Sequence, residues 1–108
     1  MPFFHMNIIF NASFLIPRNR EVELVAFLRR EIALIEAPEA QLSVMRESGG
    51  VDYRQAEAQS VAFQTVHPSL EAAREWGSSV FPQLAARFEE NFAPEGMVFV
   101  SLFQKIKL

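Results

Sequence analysis

The chain has 108 residues, half of them hydrophobic, with 11 Phe, no Cys and a formal charge of -3. A domain of this size buries about two-thirds of its unfolded surface, so these numbers predict one folded domain over residues 1–108 and exclude a disordered chain. The absence of cysteine excludes disulfides, thiolate metal sites and cysteine nucleophiles, and the dispersed negative charge predicts no nucleic-acid partner and no basic membrane patch.

The first residues give no sign of a targeting segment. Met1-Pro2-Phe3-Phe4-His5-Met6 has neither a positive region nor a small-residue cleavage site, and the longest apolar run is too short to span a bilayer. We therefore expect a soluble, cytoplasmic protein with no membrane partner. Met6 could be an alternative start, which would make residues 1–5 an N-terminal extension of the fold.

Period-two alternation from Met6 to Leu15 predicts a first strand, with Ile8, Phe10 and Phe14 on one face. A helix follows, introduced by Pro17 and Asn19 and ended by Pro38. Its apolar stripe recurs at three- and four-residue spacing through Val22, Val25, Leu28, Ile32 and Ile35.

Two strands are predicted around Gly49-Gly50, which supplies the positive φ angles of a tight hairpin. The first, Leu42 to Glu47, is short and would lie at an edge of the sheet. The second runs from Tyr53 to Val66 and has one face of small side chains. Because small side chains let helices pack closely, we expect this face under the helices; it comprises Ala56, Ala58, Ser60 and Ala62.

Pro68-Ser69 begins the second predicted helix, with Ser69 as N-cap, and Pro82 should either kink this helix or divide it in two. Its apolar stripe comprises Trp76, Val80, Leu84, Phe88 and Phe92. The last predicted strand, Met97 to Ile106, is apolar on both faces.

This order of elements predicts an α+β fold of the ferredoxin-like βαββαβ type: a four-stranded antiparallel sheet with two helices on one face. The last strand lies at an edge beside the first, so its second apolar face would be left uncovered. Large exposed apolar patches usually mark contacts, and we expect a homodimer through the open sheet face. The alternative is a monomer whose C-terminal residues fold over the patch.

Few residues suggest chemistry. His5 and His67 lack partners at metal-ligand spacing, and Asp52 is the single Asp, with no nucleophile motif around it. We therefore expect no metal, no cofactor and no catalytic triad. Trp76 lies on an apolar helix stripe and is interpreted first as a core residue.

One polar group remains. If Ile8, Phe10 and Phe14 face the helices, then Asn7, Asn11 and Ser13 point to the open face. With the alanines under the helices, Glu57 and Gln59 would join them there. These groups would form either an interfacial hydrogen-bond network with water, which we favour, or a site that orients a small ligand.

Three stretches carry a family resemblance: Asn7 through Phe14, Ala62-Phe63-Gln64-Thr65-Val66 running to Trp76, and Phe88 with Val98 through Phe103. Across nearly its whole length the chain resembles a family of uncharacterised bacterial proteins known only as a domain of unknown function. The resemblance implies a ferredoxin-like fold, similar in architecture to the dimeric α/β-barrel group, whose subunits pack sheet to sheet. Some members of that group are small monooxygenases, haem-degrading enzymes or isomerases. Haem-degrading members use an Asn, a Trp and a His, but the pattern here does not match, and no catalytic residue carries over.

Two functions therefore stay open, and with them whether the chain is an enzyme. The preferred one is a small homodimeric domain that is structural or binds a small molecule. The alternative is a monooxygenase or isomerase of the dimeric barrel type. The residues to test for ligand binding are Asn7, Asn11, Glu57, Gln59 and Trp76. A filled interior would favour the first function, and a polar cleft between sheet and helices the second. A regulatory sensor is less favoured, because no effector domain is attached.

Overall fold

The computed structural model describes residues 7–45 and 58–106. The helices and strands are β1 (Ile8–Pro17), a 3-10 turn (Arg18–Arg20), α1 (Glu21–Ile32), β2 (Gln41–Met45), β3 (Ala58–His67), α2 (Leu70–Ser79), α3 (Phe81–Phe92) and β4 (Met97–Gln104). The strands form one antiparallel sheet in the order β2-β3-β1-β4, and the helices pack on one face. The ferredoxin-like prediction is confirmed, including both edge strands. The predicted Gly49-Gly50 turn lies outside the described residues.

The helix-facing side of β1 is set by its alternation. Phe10, Ala12, Phe14 and Ile16 are all at most 4% exposed and belong to the core between sheet and helices. Because successive side chains of a strand point to opposite faces, the residues between them lie on the other side of the sheet. The predicted orientation of the first strand is therefore correct.

Pro82 divides the second predicted helix in two, which is one of the two alternatives predicted from the sequence. α2 ends at Ser79 and α3 begins at Phe81, which puts Pro82 in the first turn, where its missing N–H costs nothing. Ser69 caps α2 as predicted, since its hydroxyl accepts a hydrogen bond from the Ala72 N–H at 3.1 Å. The sheet is thus covered by three α-helices where two were expected.

The predicted orientation of β3 is wrong. Val61 and Phe63 are fully buried under the helices, and Ala62 pairs with Ser13 on the opposite face. The physical reason is volume: the gap between sheet and helices is filled by large side chains from the strands, so close approach over alanines is not needed. Ala56 lies outside the described residues.

Aromatic rings make up much of this core. The Phe10 ring lies 5.0 Å from those of Trp76 and Phe81, and the Phe14 ring lies 4.8 Å from that of Phe88. Several of these pairs are edge-to-face or tilted, geometries that favour the ring quadrupoles. The centre of the layer between sheet and helices is therefore a packed interior.

Candidate functional site: the open face of the sheet

The face of the sheet turned away from the helices is the candidate site, and we call it the open face. Pairing register and strand alternation define its members. They are Ile9, Asn11, Ser13 and Leu15 of β1, Gln41 and Ser43 of β2, Ser60, Ala62, Gln64 and Val66 of β3, and Met97, Phe99, Ser101 and Phe103 of β4.

The open face has apolar residues exposed along β4. Met97, Phe99 and Phe103 are 51–53% exposed. No Lys, Arg, Asp or Glu occurs in any of the four strands as described. A face of this kind suits a protein contact or an uncharged ligand, because covering it removes water from no charged group.

A row of uncharged polar residues crosses the open face near its centre. Asn11 pairs with Gln64 on one side and Ser101 on the other, and Gln41 extends the row onto β2. The Gln64 amide donates to the Asn11 carboxamide oxygen at 3.0 Å, and the Asn11 amide donates to the Ser13 hydroxyl at 3.1 Å. Asn11 is only 9% exposed, so these bonds hold its side chain in one orientation.

The Gln64 carboxamide retains unused hydrogen-bonding capacity. Among the described residues, its oxygen accepts no hydrogen bond and its amide donates only one of two. Sequence reasoning missed this residue because β3 was assigned the wrong face. Its signal was the alternation Val61, Phe63, Thr65, which puts Gln64 on the face opposite these three.

Two of the five predicted ligand residues, Asn11 and Trp76, lie on opposite sides of the sheet. Asn11 lies on the open face, whereas Trp76 is in the core on the helix side of the sheet. Asn7 is exposed, and its backbone oxygen accepts a hydrogen bond from the Lys105 N–H. Glu57 lies outside the described residues, and of Gln59 only the backbone pairing with Ile16 is described.

Trp76 has a structural environment. Its indole N–H donates to the Glu36 backbone oxygen at 2.6 Å, and its ring lies near those of Phe10, Phe63 and Phe81. A ligand bound beside Trp76, in a cleft between the sheet and the helices, would need the space that these rings occupy. The prediction of Trp76 as a core residue is confirmed.

A buried histidine adjoins the tryptophan. The His67 ring lies 5.4 Å from the Trp76 ring, and its Nε2 is 2.8 Å from the Thr65 hydroxyl. Burial lowers the pKa of His67 below its usual range, because the charged imidazolium loses hydration there. His67 is thus a neutral member of the core at pH 7.

This burial predicts a pH dependence of stability. The pKa of His67 is lower in the folded protein than in the unfolded chain, so protonation of His67 favours unfolding. The stability of the fold is therefore unaffected by the protonation of this residue above about pH 6.5 and decreases as the pH falls below that value. The free energy of unfolding should fall from pH 7.5 to pH 5.5, with this one proton contributing at most about 1.4 kcal/mol per pH unit. Urea unfolding of the wild type and of His67→Gln measures this contribution, and equal pH profiles for the two proteins would contradict it.

No three His, Asp or Glu residues are grouped so that they could hold a metal ion within residues 7–45 and 58–106. No helix in the same part of the chain is long and apolar enough to cross a bilayer.

Comparison with solved structures finds likeness over nearly the whole chain at low identity. The designed protein Foldit4 matches with 11% identity and a TM-score of 0.54, covering 93% of this chain and 99% of its own. SnoaB, a cofactor-independent oxygenase from Streptomyces nogalater, matches with 13% identity and a TM-score of 0.54, covering 95% and 96%. A putative PII-like signaling protein from Thermus thermophilus matches with 17% identity and a TM-score of 0.48, covering 92% and 90%.

No protein-family model matches the chain, and no curated protein does. A designed protein and a natural oxygenase have the same TM-score, so the likeness shows the fold and does not discriminate between functions.

Proposed function

We propose that this chain is a homodimeric domain that binds a small molecule, in which two copies pack through their open faces. The observation that carries the proposal is the open face itself: among the described residues it has no charged side chain, it is largely apolar along β4, and its polar side chains are serines and a central row of amides. In a sheet with one face in solvent, the outward-facing residues of each strand are normally polar and often charged. The outward-facing residues of β1 and β4 include no charged side chain.

The size of the open face suits a second copy. Strands about 4.8 Å apart rising about 3.3 Å per residue give a flat area of roughly 500 Å² for this sheet, and protruding side chains raise the accessible area above that. Stable interfaces bury about 600–1,000 Å² per partner. With its protruding side chains, the face therefore approaches the lower end of the area that stable interfaces bury.

A copy of the same face is also chemically complementary. Neither copy brings an ion that would lose its water, and the half-exposed side chains of β4 can pack against one another. A two-fold axis near the centre of the interface would bring polar row opposite polar row, so that amides meet amides. A strongly charged partner would find no counter-charge there.

The small molecule is proposed to lie between the two sheets, against Asn11 and Gln64. Asn11 is the member of the predicted set that supports this, because it is buried, oriented and hydrogen-bonded to Gln64, whose carboxamide has unused hydrogen-bonding capacity among the described residues. The alternative oxygenase or isomerase would need a cleft beside Trp76. That space is filled by aromatic rings, so we favour the binding domain.

The test is native mass spectrometry of the purified protein at micromolar concentration. We expect a wild-type dimer, with or without extra mass from a retained ligand, and a monomer for Phe99→Glu. Burying an unpaired carboxylate costs several kcal/mol, so the dissociation constant should rise at least about 100-fold.

The matched control is Val22→Glu, which makes a similar change on α1: the prediction that Val22 belongs to the apolar stripe is wrong, since its side chain is 85% exposed. This variant should remain a dimer. A wild-type monomer, or a Phe99→Glu protein that dimerises like Val22→Glu, would refute the proposed interface.

A further inference from the structure

We infer that the ligand of this site is a flat molecule without net charge that carries a group able both to donate and to accept a hydrogen bond, such as a hydroxyl or a primary amide. This inference rests on the proposed function, since it concerns the ligand held between the two open faces. Three features of the open face support it: the lack of charged side chains, the amide groups and the shape of its surface.

The first feature is the absence of any compensating charge. All four strands lack Lys, Arg, Asp and Glu over their described lengths. An ionised ligand enclosed between two such faces would lose its hydration and meet no counter-ion, which costs far more than burying a neutral polar group. The site therefore selects against anions and cations alike.

The second feature is the hydrogen-bonding capacity of Gln64. Its amide uses one N–H on Asn11, which in turn is held by Ser13. Among the described residues, this leaves the carboxamide oxygen and one N–H of Gln64 without a partner, so that one planar group offers both an acceptor and a donor. A hydroxyl or primary amide matches this pair, whereas a carboxylate can only accept and an ammonium can only donate.

The third feature is the shape of the surface beside the polar row. The neighbouring row consists of the short side chains Ser43, Ala62 and Ser13, and it ends at Phe99 on β4. The Phe103 ring lies beyond the polar row on the same strand and face. A shallow floor next to half-exposed phenyl rings accommodates a flat ring system better than a branched chain, because rings gain from edge or offset contact.

The experiment compares three probes of nearly equal size: 2-naphthol, 2-naphthoate and 2-(aminomethyl)naphthalene, which are neutral, anionic and cationic at pH 7. We expect isothermal titration calorimetry of the dimer to show a dissociation constant for 2-naphthol that is at least about tenfold lower than the dissociation constants for the two ions. Equal or tighter binding of either ion, or no binding of 2-naphthol, would overturn the inference.

Substitutions then locate the site. Gln64→Glu keeps the shape but adds charge, and Gln64→Met removes the hydrogen bonds without charge; each should weaken 2-naphthol binding about tenfold or more. Gln83→Glu, at an exposed position on α3, is the control and should bind as the wild type does. Unchanged binding by Gln64→Met, in a protein with wild-type circular dichroism, would also overturn the inference.

The failures of the two proposals are distinguishable. A monomeric mass without probe refutes the proposed dimer whatever the probes do. A dimer that prefers an ion, or that carries a co-purified charged molecule, leaves the dimer intact and refutes the ligand class.

Discussion

Phe14→Ala is expected to lower the free energy of unfolding by about 3–5 kcal/mol, the largest effect we predict for a single truncation. Phe14 is fully buried in β1, a central strand of the sheet. Its ring lies 4.8 Å from that of Phe88 and 6.4 Å from that of Phe81, both on α3. Removing it leaves a cavity between the sheet and that helix.

Urea unfolding at fixed protein concentration measures this loss. Val22→Ala is the control, because this side chain is 85% exposed on α1 and should change the unfolding free energy by less than about 0.5 kcal/mol. A loss below about 1 kcal/mol for Phe14→Ala would show that α3 does not pack on this strand.

Gly96→Ala is expected to destabilise the fold by about 1–3 kcal/mol through overpacking. Gly96 lies between α3 and β4, and its N–H donates to the Phe92 backbone oxygen at 2.7 Å. An added Cβ would lie 2.7 Å from Cζ of Phe88 and 2.8 Å from Cβ of Phe92. The Phe92 atom is fixed to the helix backbone, so the turn itself must shift.

Gly77→Ala provides the comparison, because it also adds one methyl group. Its Cβ would lie 2.6 Å from Cε2 of Phe10, but Gly77 is in the last turn of α2, where alanine regains part of the about 1 kcal/mol by which glycine is disfavoured in a helix. Thermal and urea unfolding should therefore rank Gly96→Ala as the less stable variant. The reverse order would show that the α3–β4 turn relaxes at little cost.

The fold could be predicted from the sequence because alternation and proline placement each have a local cause. The alternation in β1 fixes which side chains are buried, and Pro82 cannot continue a helix because it lacks an N–H. The facing of β3 could not be settled locally: small residues suit close helix packing as well as an open surface. Which of the two holds depends on the volume that Phe10, Phe14 and Trp76 already occupy.

The candidate site was predicted only in part for the same reason. Asn11 follows from β1 alone, since Phe10 and Ala12 on either side of it are buried. Gln64 depends on the facing of β3, and its bond to Asn11 depends on the register between the two strands. Trp76 was predicted in the same set as Asn11, whereas the sheet separates the two side chains.

The pairing of β1 with β4 has a consequence for synthesis of the protein. Ile8 pairs with Gln104, so one edge of β1 stays open until almost the whole described chain has left the ribosome. Contacts this distant in sequence form slowly, and during that interval the most apolar strands present unpaired backbone groups. Neither strand carries a lysine or any other charge that would discourage pairing with a neighbouring nascent chain. β4 completes the sheet, and its late synthesis leaves β1 exposed to aggregation with neighbouring nascent chains on the same polysome.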